Sequence, residues 1–181
     1  VLTISEDAPL NTIVGTFSAS DPDGDSNFSY TMPKTIKQLG PVLWLDANHP
    51  SANSPTWKDL SSYNRDAKRY NSPTVVDNMQ NGLSVVRYQS RSSETDYHEW
   101  SSVNNIRSAF AVLKRNSGHV LSHASAHHFH SNGNKILHSS HAHANLKNGI
   151  SRVNGLEVDA RVTNSPSSDF FLISFVPIGN V

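Results

Sequence analysis

The alternation of apolar and polar residues along the chain predicts many short strands and almost no helix. No window of about 11 residues keeps apolar residues at the i, i+3, i+4, i+7 spacing of a helix, and a single helical turn is expected, at 57–60. β-branched and aromatic runs bounded by turn residues recur instead, as strands do. These runs lie at 12–19, 42–45, 83–88, 109–114 and 150–153.

Asn-Gly pairs mark the predicted turns. Asn81-Gly82 precedes the run at 83–88, and Asn148-Gly149 and Asn154-Gly155 flank the run at 150–153. Each pair suits a type I′ turn, because both residues accept positive φ, so the second and third predict a meander. Short strands at a spacing of roughly 8–12 residues predict an all-β protein, an antiparallel β-sandwich or jelly roll preceded by an N-terminal β segment.

The composition excludes several classes of protein. The 181 residues carry 15 Lys+Arg against 15 Asp+Glu, which argues against a nucleic-acid binder. No apolar run of about 18 residues occurs, so no membrane span is expected. The absence of Cys excludes disulfides, cysteine zinc sites and a thiol nucleophile. Only 17% of residues are charged, whereas Ser (28) and Asn (18) abound, which favours a turn-rich β protein that is extracellular or at the cell surface.

The chain is expected to have two parts. Residues 1–33 differ from the rest, residues 34–41 are the predicted linker, and residues 42–181 form the main domain. The chain opens on a strand-like segment and stops just after an apolar run, so we expect a piece of a longer chain or a processed subunit.

An acidic loop lies in the N-terminal part. Asp21, Asp23 and Asp25 place three carboxylates within a few residues, and Gly24 permits a sharp bend. Calcium takes six to eight oxygen ligands, which such a loop can offer in part. A polar turn explains the same residues, because Asp, Pro and Gly are common in turns. From these residues alone, both interpretations stay open.

Three segments surround or include this loop: Ser5-Glu6-Asp7-Ala8-Pro9, then 13–25, then Phe28-Ser29-Tyr30. In this order they resemble the opening of a cadherin-like repeat. The resemblance covers about 30 residues, whereas a full repeat needs about 100. It implies calcium ligation by Glu6, Asp21, Asp23 and Asp25.

Five segments of the main domain form a recognisable series. They are Leu43-Trp44-Leu45-Asp46-Ala47, the loop 57–67, the strand 81–88, Asp96-Tyr97 and the segment 146–158. Together they resemble the laminin-G-like branch of the concanavalin A-like lectin/glucanase superfamily. Ser62 and Asn64 replace the family's usual glycines, and Tyr88 replaces its usual Phe. The resemblance covers about 42–176 and implies a β-sandwich that lacks its closing strands. It further implies a secreted or surface module that binds glycans or proteins, often with calcium.

One segment suggests an enzyme as an alternative. Glu94, Asp96 and Glu99 match the bare Glu-x-Asp-x-x-Glu skeleton of this superfamily's retaining glucanases. A retaining glycosidase needs two carboxyl groups about 5–5.5 Å apart. The segment is flanked by polar residues and Thr95 and His98 depart from the apolar glucanase pattern, so the favoured interpretation is that the chain is not an enzyme.

Eight of the ten histidines lie between His119 and His143. If His128 and His130 lie on one strand, and His141 and His143 on another, each pair points to one face. Four imidazoles suit zinc, copper or nickel, so these four residues are a candidate transition-metal site. Two other interpretations of these histidines stay open: they form a polar surface, or they make the protein respond to protonation near pH 6.

Aromatic residues in polar contexts are the candidate ligand contacts, because aromatic faces stack on sugar rings. We select Trp57, Tyr63, Tyr97 and Trp100 from a set that also includes Tyr70. The sequence thus favours a calcium-stabilised recognition or adhesion module for a glycan or cell-surface protein. The alternative is a subunit of a surface fibre, a homo-polymer assembled by donation of terminal strands, with residues 1–17 as donor.

Overall fold

The computed structural model of the chain describes residues 35–89, 94–115, 129, 131 and 133–181. The chain divides into two units, Val1–Leu39 and Gly40–Val181. The described part of the first unit contains a 3-10 helix at Lys37–Leu39. Thr35 and Gln38 form a reciprocal cap at the start of this helix, because the backbone N–H of each donates to the side-chain oxygen of the other.

The described residues of the second unit form nine strands, and every strand pair is antiparallel. The strands make three sheets, in the orders β1-β2-β5, β3-β4 and β6-β9-β7-β8. This confirms the predicted all-β class. The elements are β1 (Thr56–Trp57), β2 (Ala67–Tyr70), β3 (Thr74–Gln80), β4 (Leu83–Arg87), β5 (Tyr97–Glu99), β6 (Ala109–Leu113), α1 (Ala144–Lys147), β7 (Ile150–Val153), β8 (Leu156–Val158) and β9 (Phe171–Val176), with a 3-10 helix at Pro50–Asn53.

Helices are short throughout this part of the chain. The segments 35–89, 94–115 and 133–181 contain no helix of the length and apolar character that crossing a bilayer demands.

Two clusters of buried side chains hold the sheets. The four-stranded sheet buries Phe171, Ile173 and Phe175 of β9 on one face, as strand alternation requires. Ile136, Leu137 and Leu146 cover that face and complete the larger core. The smaller core contains Trp57, Ala67 and Ala52, with Val75 of β3 and Val86 of β4 packed against it.

The predicted strand at 42–45 is wrong, because a carboxylate takes the place of a neighbouring strand. The Trp44 N–H donates to Asp59 Oδ1 at 2.8 Å, and the Leu60 N–H donates to the Trp44 carbonyl at 2.8 Å. Asp59 also accepts hydrogen bonds from Ser61 and Arg65. The helical turn expected at 57–60 is also wrong. Strand β1 ends at Trp57, and the chain that follows forms a loop around the Asp59 carboxylate.

Two of the three predicted Asn-Gly turns are confirmed. Asn81-Gly82 joins β3 to β4 and Asn154-Gly155 joins β7 to β8, with positive φ at all four residues. The turn predicted at Asn148-Gly149 is wrong. Asn148 is the C-cap of α1 at φ −98°, and Gly149 lies where an added Cβ would overlap the Val176 carbonyl oxygen and Pro177 Cα.

Asparagine occupies the left-handed backbone region at six described positions. One of them is Asn64, at φ 53°. Asparagine tolerates this region better than most residues, because its short polar side chain can hydrogen-bond locally. The six are Asn64, Asn71, Asn78, Asn81, Asn105 and Asn154.

Candidate binding surface

The outer face of the β1-β2-β5 sheet combines aromatic and charged side chains. Tyr70 of β2 lies directly opposite Tyr97 of β5, and Lys68 lies opposite Glu99. Successive strand residues point to opposite faces, so these four side chains share one face, whereas Ala67 points to the smaller core. We call Lys68, Tyr70, Tyr97 and Glu99 the tyrosine face.

The two tyrosine rings are stacked nearly parallel. Their centroids are 4.5 Å apart with an interplanar angle of 8°. Lys68 Nζ lies 4.9 Å from the Tyr70 centroid, within the range of a cation–π interaction. Tyr97 remains 45% exposed. The tyrosine face therefore offers a flat aromatic surface beside an ammonium and a carboxylate.

Hydrogen bonds next to the tyrosine face fix β5 against β2. Asn71 Nδ2 donates to the Thr95 carbonyl at 2.6 Å, just beyond the Tyr70–Tyr97 pair. The buried Asp96 carboxylate accepts from the backbone N–H groups of Ser72 and Gln89, both at 3.0 Å. Tyr97 follows Asp96 directly in the chain, so this network holds in place the backbone that carries its ring.

His98 points to the opposite side of β5 from the tyrosine face. Its ring meets Trp57 edge-on at 5.3 Å between centroids, and its Nδ1 lies 3.0 Å from the Tyr88 hydroxyl oxygen. The buried Nε2 has no hydrogen-bond partner among the described residues. Desolvation, helped by the nearby Arg69 cation, lowers the pKa of His98. Burial around the Tyr88 hydroxyl raises the pKa of Tyr88 to about 12, although part of its ring is exposed.

The lowered pKa of His98 predicts a loss of stability on acidification. In the unfolded chain His98 takes up a proton near its ordinary pKa of about 6.5, whereas the folded state resists that proton. The unfolded state then binds more protons, so the free energy of unfolding falls as the pH drops below about 6.5. His98→Phe keeps the aromatic packing but cannot titrate, so we expect a smaller decrease in Tm between about pH 7.5 and about pH 5 than in the parent.

Thermal unfolding over a pH series measures this effect, with Tyr88→Phe as the control. That substitution removes the hydroxyl beside His98 but leaves the imidazole, so the dependence of Tm on pH should resemble that of the parent. Identical pH dependence in His98→Phe and the parent would contradict the assignment.

The structure separates the four aromatic residues that the sequence selects as ligand contacts. Trp57 is buried in the smaller core, where its Nε1 donates to the Asp46 carbonyl at 3.0 Å, and Trp100 is half-buried against the same core. Tyr63 is exposed, with the Arg65 guanidinium 4.5 Å from its ring centroid. Among the described contacts only Tyr97 joins another aromatic residue, Tyr70, on an exposed face.

The three carboxylates of the alternative enzyme motif have different environments. Asp96 is buried and accepts two backbone hydrogen bonds, whereas Glu94 is exposed. Glu99 is exposed on the tyrosine face, opposite Lys68. Two residues of this motif have a place at the candidate surface that involves no catalysis. Asp96 supports the surface through backbone hydrogen bonds, and Glu99 adds a charge to it.

The histidines at 138–143 precede a helix, so the strand geometry expected for His141 and His143 is wrong. The His143 side chain accepts from the Asn145 N–H as the N-cap of α1. The His138 and His141 rings stack at 4.1 Å, and His138 Nδ1 accepts from the backbone N–H groups of Ser140 and His141. In the segments that the structure describes, no three His, Asp or Glu side chains are grouped to hold a metal ion.

Part of the predicted metal chemistry lies outside the described residues. This applies to His128 and His130 of the transition-metal site and to all four calcium candidates. Calcium and transition-metal binding therefore stay predictions. The calcium candidates are Glu6, Asp21, Asp23 and Asp25.

Sequence reasoning missed Lys68 as part of the tyrosine face and Asn71 as the residue that holds the Thr95 carbonyl beside it. Lys68 and Tyr70 share a face because they are two residues apart on β2, but the sequence Ala-Lys-Arg-Tyr has no alternation of apolar and polar residues to indicate it. The candidate surface depends on the pairing of β2 with β5, and neither segment's own sequence indicates that pairing.

Comparisons of the chain with models of known protein families, with curated proteins and with solved structures find no match in any of the three.

Proposed function

We propose that the chain is an extracellular recognition module that binds glycans through the tyrosine face. The observation that carries this proposal is the stacked, partly exposed Tyr70–Tyr97 pair beside Lys68 and Glu99. Sugar rings present apolar C–H faces and hydroxyl edges, so they match a flat aromatic surface with hydrogen-bonding groups at its side. The mechanism is binding, with no bond made or broken.

The resemblance of residues 42–176 to laminin-G-like domains supports this proposal. That family's modules are β-sandwiches of secreted or surface proteins, and many of them bind glycans or proteins. The described sheets are antiparallel, as a sandwich or jelly roll requires. A cell-surface protein is the other class of ligand that the resemblance allows.

A panel of immobilised oligosaccharides tests the proposal. We expect the parent chain to bind a subset of the panel and Tyr97→Ser to bind that subset about tenfold more weakly, because the stacking surface is lost. Tyr63→Ser is the matched control, since it makes the same change at an exposed tyrosine in the loop between β1 and β2, outside the tyrosine face.

Three results would contradict glycan binding at this face. They are no binding of the parent chain to any oligosaccharide, equal weakening by Tyr97→Ser and Tyr63→Ser, and unchanged binding by Tyr97→Ser. Binding to a deglycosylated surface protein, with none to the panel, would favour the protein ligand instead.

Stabilisation by calcium belongs to this proposal as a prediction from the acidic loop at 21–25. The alternative function, a surface-fibre subunit that donates residues 1–17 to a neighbour, also stays a prediction. Both segments lie outside the described residues.

A further inference from the structure

His98 is the middle residue of β5 and lies between two members of the tyrosine face. Tyr97 precedes it and Glu99 follows it, whereas the His98 ring points to the smaller core. Neighbouring residues of a strand point to opposite faces, so the ring cannot turn toward the tyrosine face while β5 is paired with β2. Any event that brings this ring into water must therefore move the strand that carries Tyr97.

The surroundings of the His98 ring suit the neutral imidazole. Trp57 contacts the ring edge-on, and the Tyr88 hydroxyl oxygen lies 3.0 Å from Nδ1. Nε2 is buried, with no hydrogen-bond partner among the described residues. A protonated imidazole carries an N–H donor at both nitrogens. Protonation would therefore place a positive charge in a poorly solvated position, which is costly.

The charged and titratable groups that face the ring oppose the proton as well. Burial lowers the pKa of His98, and the cation of Arg69, directly opposite it on β2, adds to this effect. Tyr88 follows β4 and supplies a hydroxyl whose own pKa is raised to about 12 by burial. Strand β1 contributes the uncharged Trp57, and β3 and β4 contribute valines to the same core. No carboxylate among the described residues forms an ion pair with the ring.

Strand β5 is short enough to separate from β2 without unfolding of the whole chain. It contains three residues, and its pairing with β2 covers the same three. Short elements open locally at a free energy well below that of global unfolding. The Asp96 hydrogen bonds hold the backbone just before β5, so the opening can stay local to the strand. Separation of β5 brings the His98 ring into water and parts Tyr97 from Tyr70.

We propose that His98 is a proton-operated switch for the tyrosine face, which holds its ligand at neutral pH and releases it on acidification. In the closed form β5 is paired with β2 and Tyr97 stacks on Tyr70 at 4.5 Å, whereas in the open form that stack is lost. The switch rests on the proposed function, because what it releases is the glycan bound at the tyrosine face.

The direction of the switch follows from proton linkage. The open form takes up a proton near the ordinary histidine pKa of about 6.5, whereas the closed form, with its lowered pKa, resists the proton. Each pH unit below about 6.5 therefore raises the ratio of open to closed form by up to about tenfold, until the pKa of the closed form is reached.

Glycan binding at two pH values tests the switch, with the oligosaccharide that the parent binds most tightly as the probe. The ratio of Kd at about pH 5 to Kd at about pH 7.5 should be at least about threefold larger in the parent than in His98→Phe. This variant keeps an aromatic ring but cannot take up a proton. It also keeps Lys68 and Glu99, so any direct effect of pH on the tyrosine face remains in it.

His143→Asn is the matched control for the binding measurement. It also removes one histidine, but His143 is the N-cap of α1, outside the sheet of the tyrosine face. Asparagine is a good N-cap residue, so the helix should keep its cap. We expect this variant to show the parent's ratio of Kd values.

Hydrogen exchange tests the switch without any ligand. After correction for the intrinsic effect of pH on exchange, the amides of Tyr97–Glu99 in the parent should lose at least about tenfold in protection between about pH 7.5 and about pH 5. The same amides in His98→Phe should keep their protection. The amides of Phe171–Val176 in β9 are the internal reference and should keep theirs in both proteins.

Three results would overturn the switch. They are equal ratios of Kd in the parent and His98→Phe, protection of β5 that does not change with pH in the parent, and equal loss of protection in β5 and β9, which would mean global unfolding. Failure of the proposed function has a different outcome. The parent then binds no oligosaccharide at either pH, and hydrogen exchange in β5 alone decides whether His98 operates the strand.

Discussion

Replacing Asp59 by asparagine is expected to reduce the free energy of unfolding by about 3 kcal/mol. Asp59 is 6% exposed. Its carboxylate accepts four hydrogen bonds: from the N–H groups of Trp44 (2.8 Å), Ser61 (2.9 Å) and Arg65 (2.9 Å), and from the Ser61 hydroxyl at 2.6 Å. An asparagine side chain has one acceptor oxygen, so its NH₂ group would face at least one of these donors. Urea denaturation at neutral pH measures the loss.

Asp169→Asn is the matched control for this substitution. Asp169 is exposed, and in the described segments its carboxylate accepts one hydrogen bond, from the Ser168 hydroxyl at 3.3 Å. We expect Asp169→Asn to change the free energy of unfolding by no more than about 0.5 kcal/mol. Equal stability of the two variants would contradict the structural role of Asp59.

The same carboxylate predicts an acid effect with a definite sign. Desolvation favours a raised pKa of Asp59, but the hydrogen bonds from Ser61, Trp44 and Arg65 outweigh it and the pKa is lowered. A carboxylate with a lowered folded-state pKa stabilises the protein above the unfolded value of about 3.8, and this contribution is lost as the pH falls through the folded pKa. Asp59→Asn should lack that part of the acid dependence.

Replacing Ile173 by alanine is expected to cost about 3 kcal/mol, because the larger core loses buried carbon atoms and gains a cavity. Ile173 is 1% exposed at the centre of β9, between the other buried residues Phe171 and Phe175. Thermal and urea unfolding measure the change.

Leu172→Ala is the matched control on the same strand. Leucine and isoleucine have the same number of carbon atoms, but Leu172 is 41% exposed on the opposite face of β9. We expect this variant to lose less than about 1 kcal/mol at low protein concentration. Equal losses would mean that the sheet does not bury the face carrying Ile173.

The sequence predicted those elements whose signal is local. The strands β4, β6 and β7 were expected from their β-rich runs, and the turns at Asn81-Gly82 and Asn154-Gly155 from the ability of both residues to adopt positive φ. Alternation and turn chemistry depend on neighbouring residues alone, so a single sequence contains them.

The sequence failed where a distant side chain decides the backbone. The apolar run at 42–45 has a strand's composition, but the Asp59 carboxylate satisfies the Trp44 N–H that a neighbouring strand would otherwise bind. Likewise Asn148-Gly149 has the composition of a hairpin turn, but helix α1 ends there and the chain passes close to Val176.

The candidate surface was predicted only in part. Tyr97 was selected for its polar context, which is a local property, and it lies on the tyrosine face. Trp57 was selected by the same criterion, but it is buried because β1 pairs with β2 above the smaller core. Polar context describes sequence neighbours, whereas burial depends on which strands pair across long stretches of chain.

The left-handed asparagines affect the unfolded chain as much as the folded one. Glycine adopts this backbone region without strain, but it gives the unfolded chain many more conformations. An asparagine at the same place accepts some strain in the folded state and leaves the unfolded chain less conformational entropy to lose. With 18 asparagines against nine glycines, this protein forms many of its turns with the residue that makes folding less costly in entropy.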